Sequence, residues 1–178
     1  MKTLLSSLLL LFIVLGYGQE TELESVRKAF HKAVIDEAES ENFHSMFSEI
    51  EGSSPTIAAY RAVSEALLGR TQWNPFSKLT QVHKYQKAIA EAVSLEPDNV
   101  EIRFLRLAIE YNLPPFLGMS DHVQEDLEVI LDNMDSVSSL NVDPGYGRYI
   151  FYFIESTELC SSDQILAMRE SLGGQSAQ

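Results

Sequence analysis

The chain is poor in cysteine and in positive charge. Cys160 is its only cysteine, so an intramolecular disulfide is excluded and stability must come from packing. Its 13 lysine and arginine residues stand against 26 aspartate and glutamate residues, which gives a formal net charge of −13. Such an anionic surface repels the phosphate backbone of nucleic acids and the headgroups of anionic lipids. The composition therefore predicts a partner that is not a nucleic acid.

The sequence also lacks the local motifs of common catalytic and metal sites. It contains no G-x-S-x-G serine motif and no glycine-rich phosphate loop, and no histidine stands near Cys160. A single E-x-x-H spacing, at Glu41 and His44, has no second pair of the kind that a helical di-metal site needs. We therefore predict no catalytic residues, no cofactor and no metal site, and we expect a protein that is not an enzyme. The alternative is an enzyme whose histidines and carboxylates meet only in the folded chain.

Long apolar runs are confined to the first residues. Lys2 precedes an unbroken apolar run over residues 8–15, and the small residues Gly16 and Gly18 follow it on either side of Tyr17. This layout predicts a signal peptide over residues 1–18 that is cleaved before Gln19. The apolar segment is about a dozen residues long, whereas a membrane span needs roughly 20, so no stable span is expected after cleavage. We expect an exported protein, in a bacterial periplasm or outside the cell.

The rest of the chain has the apolar spacing of helices, at intervals of three and four residues. Ser54-Pro55 and Asn74-Pro75 each combine a capping side chain with proline at the first helical position. We expect an all-α fold: a single helical domain over residues 19–172 with about seven or eight helices, then a disordered tail over residues 173–178. Further helix starts are predicted at Thr21, Ser40, Asp98 or Asn99, Asp121 or Ser120, Asp143-Pro144, and Ser161 or Ser162; the helix from Thr21 is expected to run through about Glu39.

Segment 149–154, "YIFYFI", has strand propensity at every position. We nevertheless predict a helix here, because Asp143-Pro144 is a helix start and no second strand is available to pair with it. A helix that is apolar on all sides must be buried or cover a partner. The segment is therefore interpreted either as a core helix or as part of a site that carries a small apolar ligand.

Lys87 to Asn112, "KAIAEAVSLEPDNVEIRFLRLAIEYN", is predicted to form two helices with a tight break at "EPDN". Small, apolar and helix-breaking residues follow one another in a fixed order: Ile89, Ala92, Val93, Leu95, Pro97 and Asn99. This order resembles the tetratricopeptide repeat family in a degenerate form, and "NPFSKL" and "EPDNVEIRFLR" look like phrases of exported bacterial proteins. The resemblance implies antiparallel helical hairpins and a non-enzymatic protein that binds or scaffolds other proteins.

The second helix of this segment carries a polar stripe, made of Asn99, Arg103, Arg106 and Glu110 at spacings of four, three and four. The resemblance implies that the first helix of such a pair lines a concave face, where the two arginines would bind carboxylates of a partner protein. The alternatives are a solvated stripe, in which Arg106 and Glu110 pair on the helix surface, and an arginine buried against the acids of this chain.

Aromatic residues mark a second candidate site. Trp73, the only tryptophan, and Phe76 flank the turn "TQWNPF", where they are predicted to contact a partner protein; the alternative is that they fill the gap between helix pairs. The loop "YNLPPFLG", residues 111–118, either packs over the core or presents an apolar ridge. The sequence leaves the oligomeric state open.

Overall fold

Helices account for all the regular structure that is described. The computed structural model describes residues 22–50, 54–134 and 145–173, and no β-strand occurs in these ranges. They contain eight α-helices: α1 (22–35), α2 (Ser40–Met46), α3 (Pro55–Thr71), α4 (Pro75–Leu95), α5 (Val100–Asn112), α6 (Val123–Asp132), α7 (Tyr146–Ser156) and α8 (Ser162–Gly173). Short 3-10 turns lie at Glu37–Glu39 and Pro115–Leu117. The prediction of an all-α fold with about seven or eight helices is confirmed.

Side-chain caps begin α3, α4 and α5 where the sequence predicts them. The hydroxyl of Ser54 accepts a hydrogen bond from the amide of Ile57, and Asn74 Oδ1 accepts one from the amide of Phe76. Asn99 Oδ1 accepts from two amides of the first turn of α5. Each cap satisfies amides that lack a partner within the helix, which fixes where the helix begins.

Consecutive helices pack on one another as antiparallel hairpins. α3 lies along α4, and α5 packs against both α6 and α3. α4 passes close to Gly69, where a Cβ atom would lie in van der Waals contact, 3.4 Å from Cβ of Gln81. The tetratricopeptide resemblance of the α4–α5 hairpin stays a prediction.

α5 lies at the centre of the core. Its first eight residues, 100–107, are all buried, and they include Ile102, Phe104, Leu105 and Leu107 with no exposed surface. Burying each of these large apolar side chains contributes about 1.5–3 kcal/mol relative to leaving it in water. α5 therefore stabilises the domain through every face, including the face that carries its charges.

A buried polar network ties α5 to three other helices. Arg27 of α1 binds both carboxylate oxygens of Glu101, at 2.8 and 2.6 Å. The Tyr60 hydroxyl lies 2.7 Å from Glu101 Oε1 and 2.5 Å from the Tyr146 hydroxyl. Because Tyr60 has one hydroxyl proton, it donates to the carboxylate and accepts from Tyr146. The Arg27 guanidinium also stacks over the Tyr146 ring, 4.9 Å from its centre.

The end of α1 differs from the prediction. The sequence predicts a first helix through about Glu39, but α1 ends at residue 35. Asp36 adopts an extended conformation, and its side chain accepts a hydrogen bond from the amide of Ala38, which starts the 3-10 turn. Arg70 donates to the carbonyls of Ala33 and Val34, which satisfies the last turn of α1 from another helix.

The start of α6 also differs. The sequence predicts a cap at Asp121 or Ser120, but α6 begins at Val123 without a side-chain cap of its own. The Ser120 hydroxyl donates to the carbonyl of Glu110 instead. The Glu110 carboxylate accepts from the amide of His122 at 3.1 Å, so a residue of α5 supplies the acceptor at the start of α6.

The aromatic segment 149–154 is helical, as predicted, within α7. The ring of Phe104 on α5 packs edge-on against the rings of Tyr149 and Phe153, with centres 5.7 and 5.5 Å apart. This packing against α5 overrides the strand propensity of the segment.

Several predictions lie outside the described residues. They concern the signal peptide over residues 1–18, the cap at Thr21, the helix start at Asp143-Pro144 and the tail predicted over residues 173–178, of which only Gly173 is described, as the last residue of α8. The predicted starts at Ser40 and at Ser161 or Ser162 agree with α2 and α8 to within a residue.

The buried tyrosines predict a loss of stability in alkali. Burial raises the pKa of Tyr60 and of Tyr146 well above 10.0, and the neighbouring Glu101 raises both further. Above pH 10.0 the unfolded chain releases these protons while the folded chain keeps them, so the free energy of unfolding should fall as pH rises. Urea unfolding at a series of pH values measures this slope.

Tyr152→Phe is the control, since Tyr152 is 61% exposed and its loss should leave the slope unchanged. Tyr146→Phe should make the slope shallower, because it removes one proton that only the folded state retains. The same slope in both variants would contradict the prediction.

Candidate functional site

The polar stripe predicted on α5 is buried inside the domain. Asp126 of α6 has no exposed surface, and both arginines of the stripe bind it. Arg106 places Nε 2.7 Å from one carboxylate oxygen and a terminal nitrogen 2.7 Å from the other. Arg103 reaches the same carboxylate at 2.9 Å, the exposed Glu125 at 2.5 Å and the Pro97 carbonyl at 2.6 Å. The two guanidinium groups therefore hold α6 on α5.

The electrostatics of this cluster favour its charged state. Burial alone lowers the pKa of Arg106, but the hydrogen bonds and the charge of Asp126 outweigh burial and raise it. The hydrogen bond from Arg103 lowers the pKa of Glu125. Both shifts favour the charged forms of Arg106 and Glu125, whose opposite charges lie 3.5 Å apart.

The other two residues of the stripe also have partners within the chain. Asn99 caps α5, and its amide nitrogen donates to Glu96 and Thr56. The Glu110 carboxylate, 3% exposed, lies 3.0 Å from Nδ1 of His122. The partner-binding role of Asn99, Arg103, Arg106 and Glu110 stays a prediction, and the contacts seen here connect α5 to its own domain.

Trp73 and Phe76 lie on the surface. Trp73 is 91% exposed and Phe76 is 81% exposed, so neither side chain fills a gap between helices. They flank Pro75, which lies at the start of α4 and at the edge of a groove. Phe116, in the loop after α5, is 85% exposed at the same groove. Large side chains as exposed as these mark interaction sites when they cluster.

This apolar groove is the larger of two concave surfaces described, with a volume of about 770 Å³. Its walls come from α1, α3, α4, α5, the loop after α5, and α7. One residue from each in turn is Val34, Leu67, Leu79, Ile109, Phe116 and Phe153. A concave, mostly apolar surface of this size is typical of binding sites.

The charges that line the apolar groove are both positive. Arg70 and Lys78 are its charged residues, and no aspartate or glutamate lines it in the described part of the chain. Arg70 donates to the two carbonyls of α1 and to the Ser40 hydroxyl, all neutral acceptors. The Lys78 ammonium has no ion-pair or hydrogen-bond partner among the described residues. The apolar groove is thus a positive region of a strongly acidic protein.

A second groove, of about 500 Å³, lies between α3 and α4. Its floor is made of alanines, and charges of both signs line it, including Glu65, which pairs with Lys84 at 3.5 Å. Because charges of both signs line this second groove and two of them pair with each other, it would select a ligand by charge less strongly than the apolar groove.

Two of the four histidines, His44 and His122, make polar contacts within the fold. His44 Nδ1 lies 3.0 Å from the Ser64 hydroxyl, which is fully buried and donates its proton to the carbonyl of Arg61. A hydroxyl in this position is not accessible to a substrate as a nucleophile. His122 lies beside the buried Glu110, but neither residue lines either groove. In residues 22–50, 54–134 and 145–173, no three potential ligand side chains gather as a metal site would require.

Within those same ranges, none of the helices combines the length and apolar character that crossing a bilayer requires. Comparison of the chain with protein families, with curated proteins and with solved structures finds no match. The candidate site is therefore defined by its geometry alone.

Sequence reasoning identifies part of the apolar groove and misses the rest. Trp73 and Phe76 are predicted as a contact surface, and segment 149–154 is considered as a ligand site; Tyr149 and Phe153 do line the groove. Arg70, Lys78 and Ile109 are missed. The signal for Lys78 is that it stands three residues after Pro75 without an acid one turn away on either side.

Two neighbouring carboxylates allow a test of the α5–α6 cluster. Asp126→Ala should lower the free energy of unfolding by about 3–5 kcal/mol, because it removes the buried counter-charge that both guanidinium groups share and leaves them only the exposed Glu125. Glu125→Ala should lower it by less than about 1 kcal/mol, because Glu125 is 55% exposed and water replaces it. Chemical denaturation of both variants measures the difference. Equal losses would show that the burial of Asp126 does not control the energetics.

Proposed function

We propose that this protein is a non-enzymatic binding protein whose apolar groove receives a segment of another protein. The observation that carries the proposal is the apolar groove with Phe116, Trp73 and Phe76 exposed around it. In water these aromatic surfaces have no packing partner among the described residues. Covering aromatic side chains at the centre of an interface is a common source of binding energy between proteins.

The helical frame supports this function because packed helices form most of the walls of the groove. Its walls belong to helices that the α5 core holds in place, and Phe104 packs against the two aromatic residues that α7 contributes. A preformed site loses less conformational entropy on binding than a site that must order itself. The resemblance of the α4–α5 hairpin to tetratricopeptide repeats points in the same direction.

A photo-crosslinking experiment tests protein binding. With p-benzoylphenylalanine in place of Phe116, irradiation of cells that make the protein should give a discrete covalent adduct with one polypeptide. The same substitution at Leu166 of α8, which is 53% exposed and does not line the apolar groove, should give none. Equal adducts from both positions, or no adduct from Phe116, would contradict the proposal.

A groove-filling substitution makes this test specific. Ala108 lines the apolar groove and is half-buried, so Ala108→Phe places a ring in the space that the partner needs. Added to the Phe116 variant, it should abolish the adduct. Ala90→Phe, on the exposed side of α4, is the matched control and should leave it unchanged.

We also propose that the protein is exported and acts in a bacterial envelope or outside the cell. The apolar run and small residues before Gln19 support this proposal. Intact mass measurement should find a chain that begins at Gln19 in the exported fraction. Gly18→Arg should block cleavage and leave the longer chain, whereas an uncleaved natural chain in the cytoplasm would refute export.

A further inference from the structure

We infer that the partner segment is an amphipathic α-helix, with an acidic side chain at the edge of its apolar face that pairs with Lys78 and Arg70. This inference deepens the proposed function and rests on it. It specifies the conformation and the charge of the segment that enters the apolar groove.

The conformation follows from the hydrogen-bonding groups that the groove offers. Asn112 and Tyr149 carry the uncharged polar side chains among the lining residues described, and the Asn112 amide already donates to the carbonyl of Ala108. An extended segment would bury backbone amides and carbonyls without partners, at about 1–3 kcal/mol for each group. A helix satisfies its own backbone groups and presents only side chains to the groove, as in other helix-in-groove complexes.

The negative charge expected on the partner segment follows from the two cations of the groove, Lys78 and Arg70. Lys78 has no acidic partner within the described residues, and Arg70 meets only neutral acceptors there. A partly desolvated groove strengthens their attraction for an anion, and the first turn of α4, where Lys78 lies, adds the positive end of a helix dipole. A basic segment would be repelled at the groove.

The breadth of the exposed apolar surface favours a helix over a single lipid chain. An acyl chain within the apolar groove would leave Trp73 and Phe76 in water, because these residues stand on either side of the lining residue Pro75 and do not line the groove. A helix about 10 Å wide covers the groove and reaches its rim at the same time. Occupation by a helix therefore predicts a change at Trp73, whereas occupation by an acyl chain does not.

Trp73 is the only tryptophan, which makes its emission a direct report on the rim of the groove. The probes are synthetic helices of about 18 residues without tryptophan, with leucines at i, i+3, i+4 and i+7 and either glutamate or lysine at the edge of that face. The glutamate peptide should shift the Trp73 emission to shorter wavelength. Its Kd should be roughly two- to fivefold lower than that of a glutamine analogue, and the difference should shrink in high salt.

Charge reversal identifies the responsible residue. Lys78→Glu should abolish or invert the preference for the glutamate peptide. Lys87→Glu is the matched control: it changes the same charge on the same helix, nine residues away and outside the apolar groove, and should preserve the preference. A proline-interrupted glutamate peptide should lose the emission shift, because it cannot form the helix.

Equal binding of the glutamate and lysine peptides would overturn this inference. If p-benzoylphenylalanine at position 116 still gave its adduct in cells, the proposed function would stand without this inference. A proline-interrupted peptide that binds as well as the intact one would overturn the helical conformation. Oleate that binds and displaces the peptide without moving the Trp73 emission would show a lipid site instead of a helix site.

Discussion

The charges of α5 can be buried only because each meets an opposite charge or a set of hydrogen bonds from another part of the chain. Glu101 meets Arg27 of α1, and Arg106 meets Asp126 of α6. An uncompensated buried charge costs several kcal/mol, so a shift of α1 or α6 by one turn along α5 is strongly disfavoured. Apolar contacts alone select one packing register less strongly, because apolar side chains can rearrange at a small cost. The ion pairs thus determine the register in which the helices pack.

The same arrangement places the groove. Charged residues on α5 are directed towards α1 and α6, while Ala108 and Ile109, near the end of α5, line the groove. Phe104 positions the two aromatic residues of α7 in the opposite wall. The shape of the apolar surface therefore depends on contacts made on the other faces of α5, and a substitution there would disturb the groove without touching it.

Local signals explain why the helices are predictable from the sequence. Ser54, Asn74 and Asn99 act on amides two or three residues away, so the sequence contains the whole interaction. Contacts between distant residues are not visible in this way: Arg27 and Glu101 are 74 residues apart, and Glu110 supplies an acceptor to an amide 12 residues on. The polar stripe of α5 illustrates the limit. Its spacing predicts four polar residues on one helical face, and in the structure Asn99 caps α5 while Arg103 and Arg106 bind Asp126 of α6. Spacing cannot distinguish a partner protein from another helix of the same chain.

Because this chain has twice as many acidic as basic residues, cations without an acidic partner at the apolar groove are notable. With 26 acidic residues against 13 basic ones, an acidic neighbour is easy to supply wherever the fold needs one. Arg27 and Arg106 have such neighbours in the interior, where an unpaired charge would destabilise the fold. At the apolar groove the two cations have no acidic partner among the described residues: Arg70 binds carbonyls of α1, and Lys78 is exposed to solvent. Leaving an exposed cation without an ion-pair partner costs little stability, so the fold does not need an acidic residue beside Lys78. Its positive charge remains available at the apolar groove, which Phe116 lines with a largely exposed side chain.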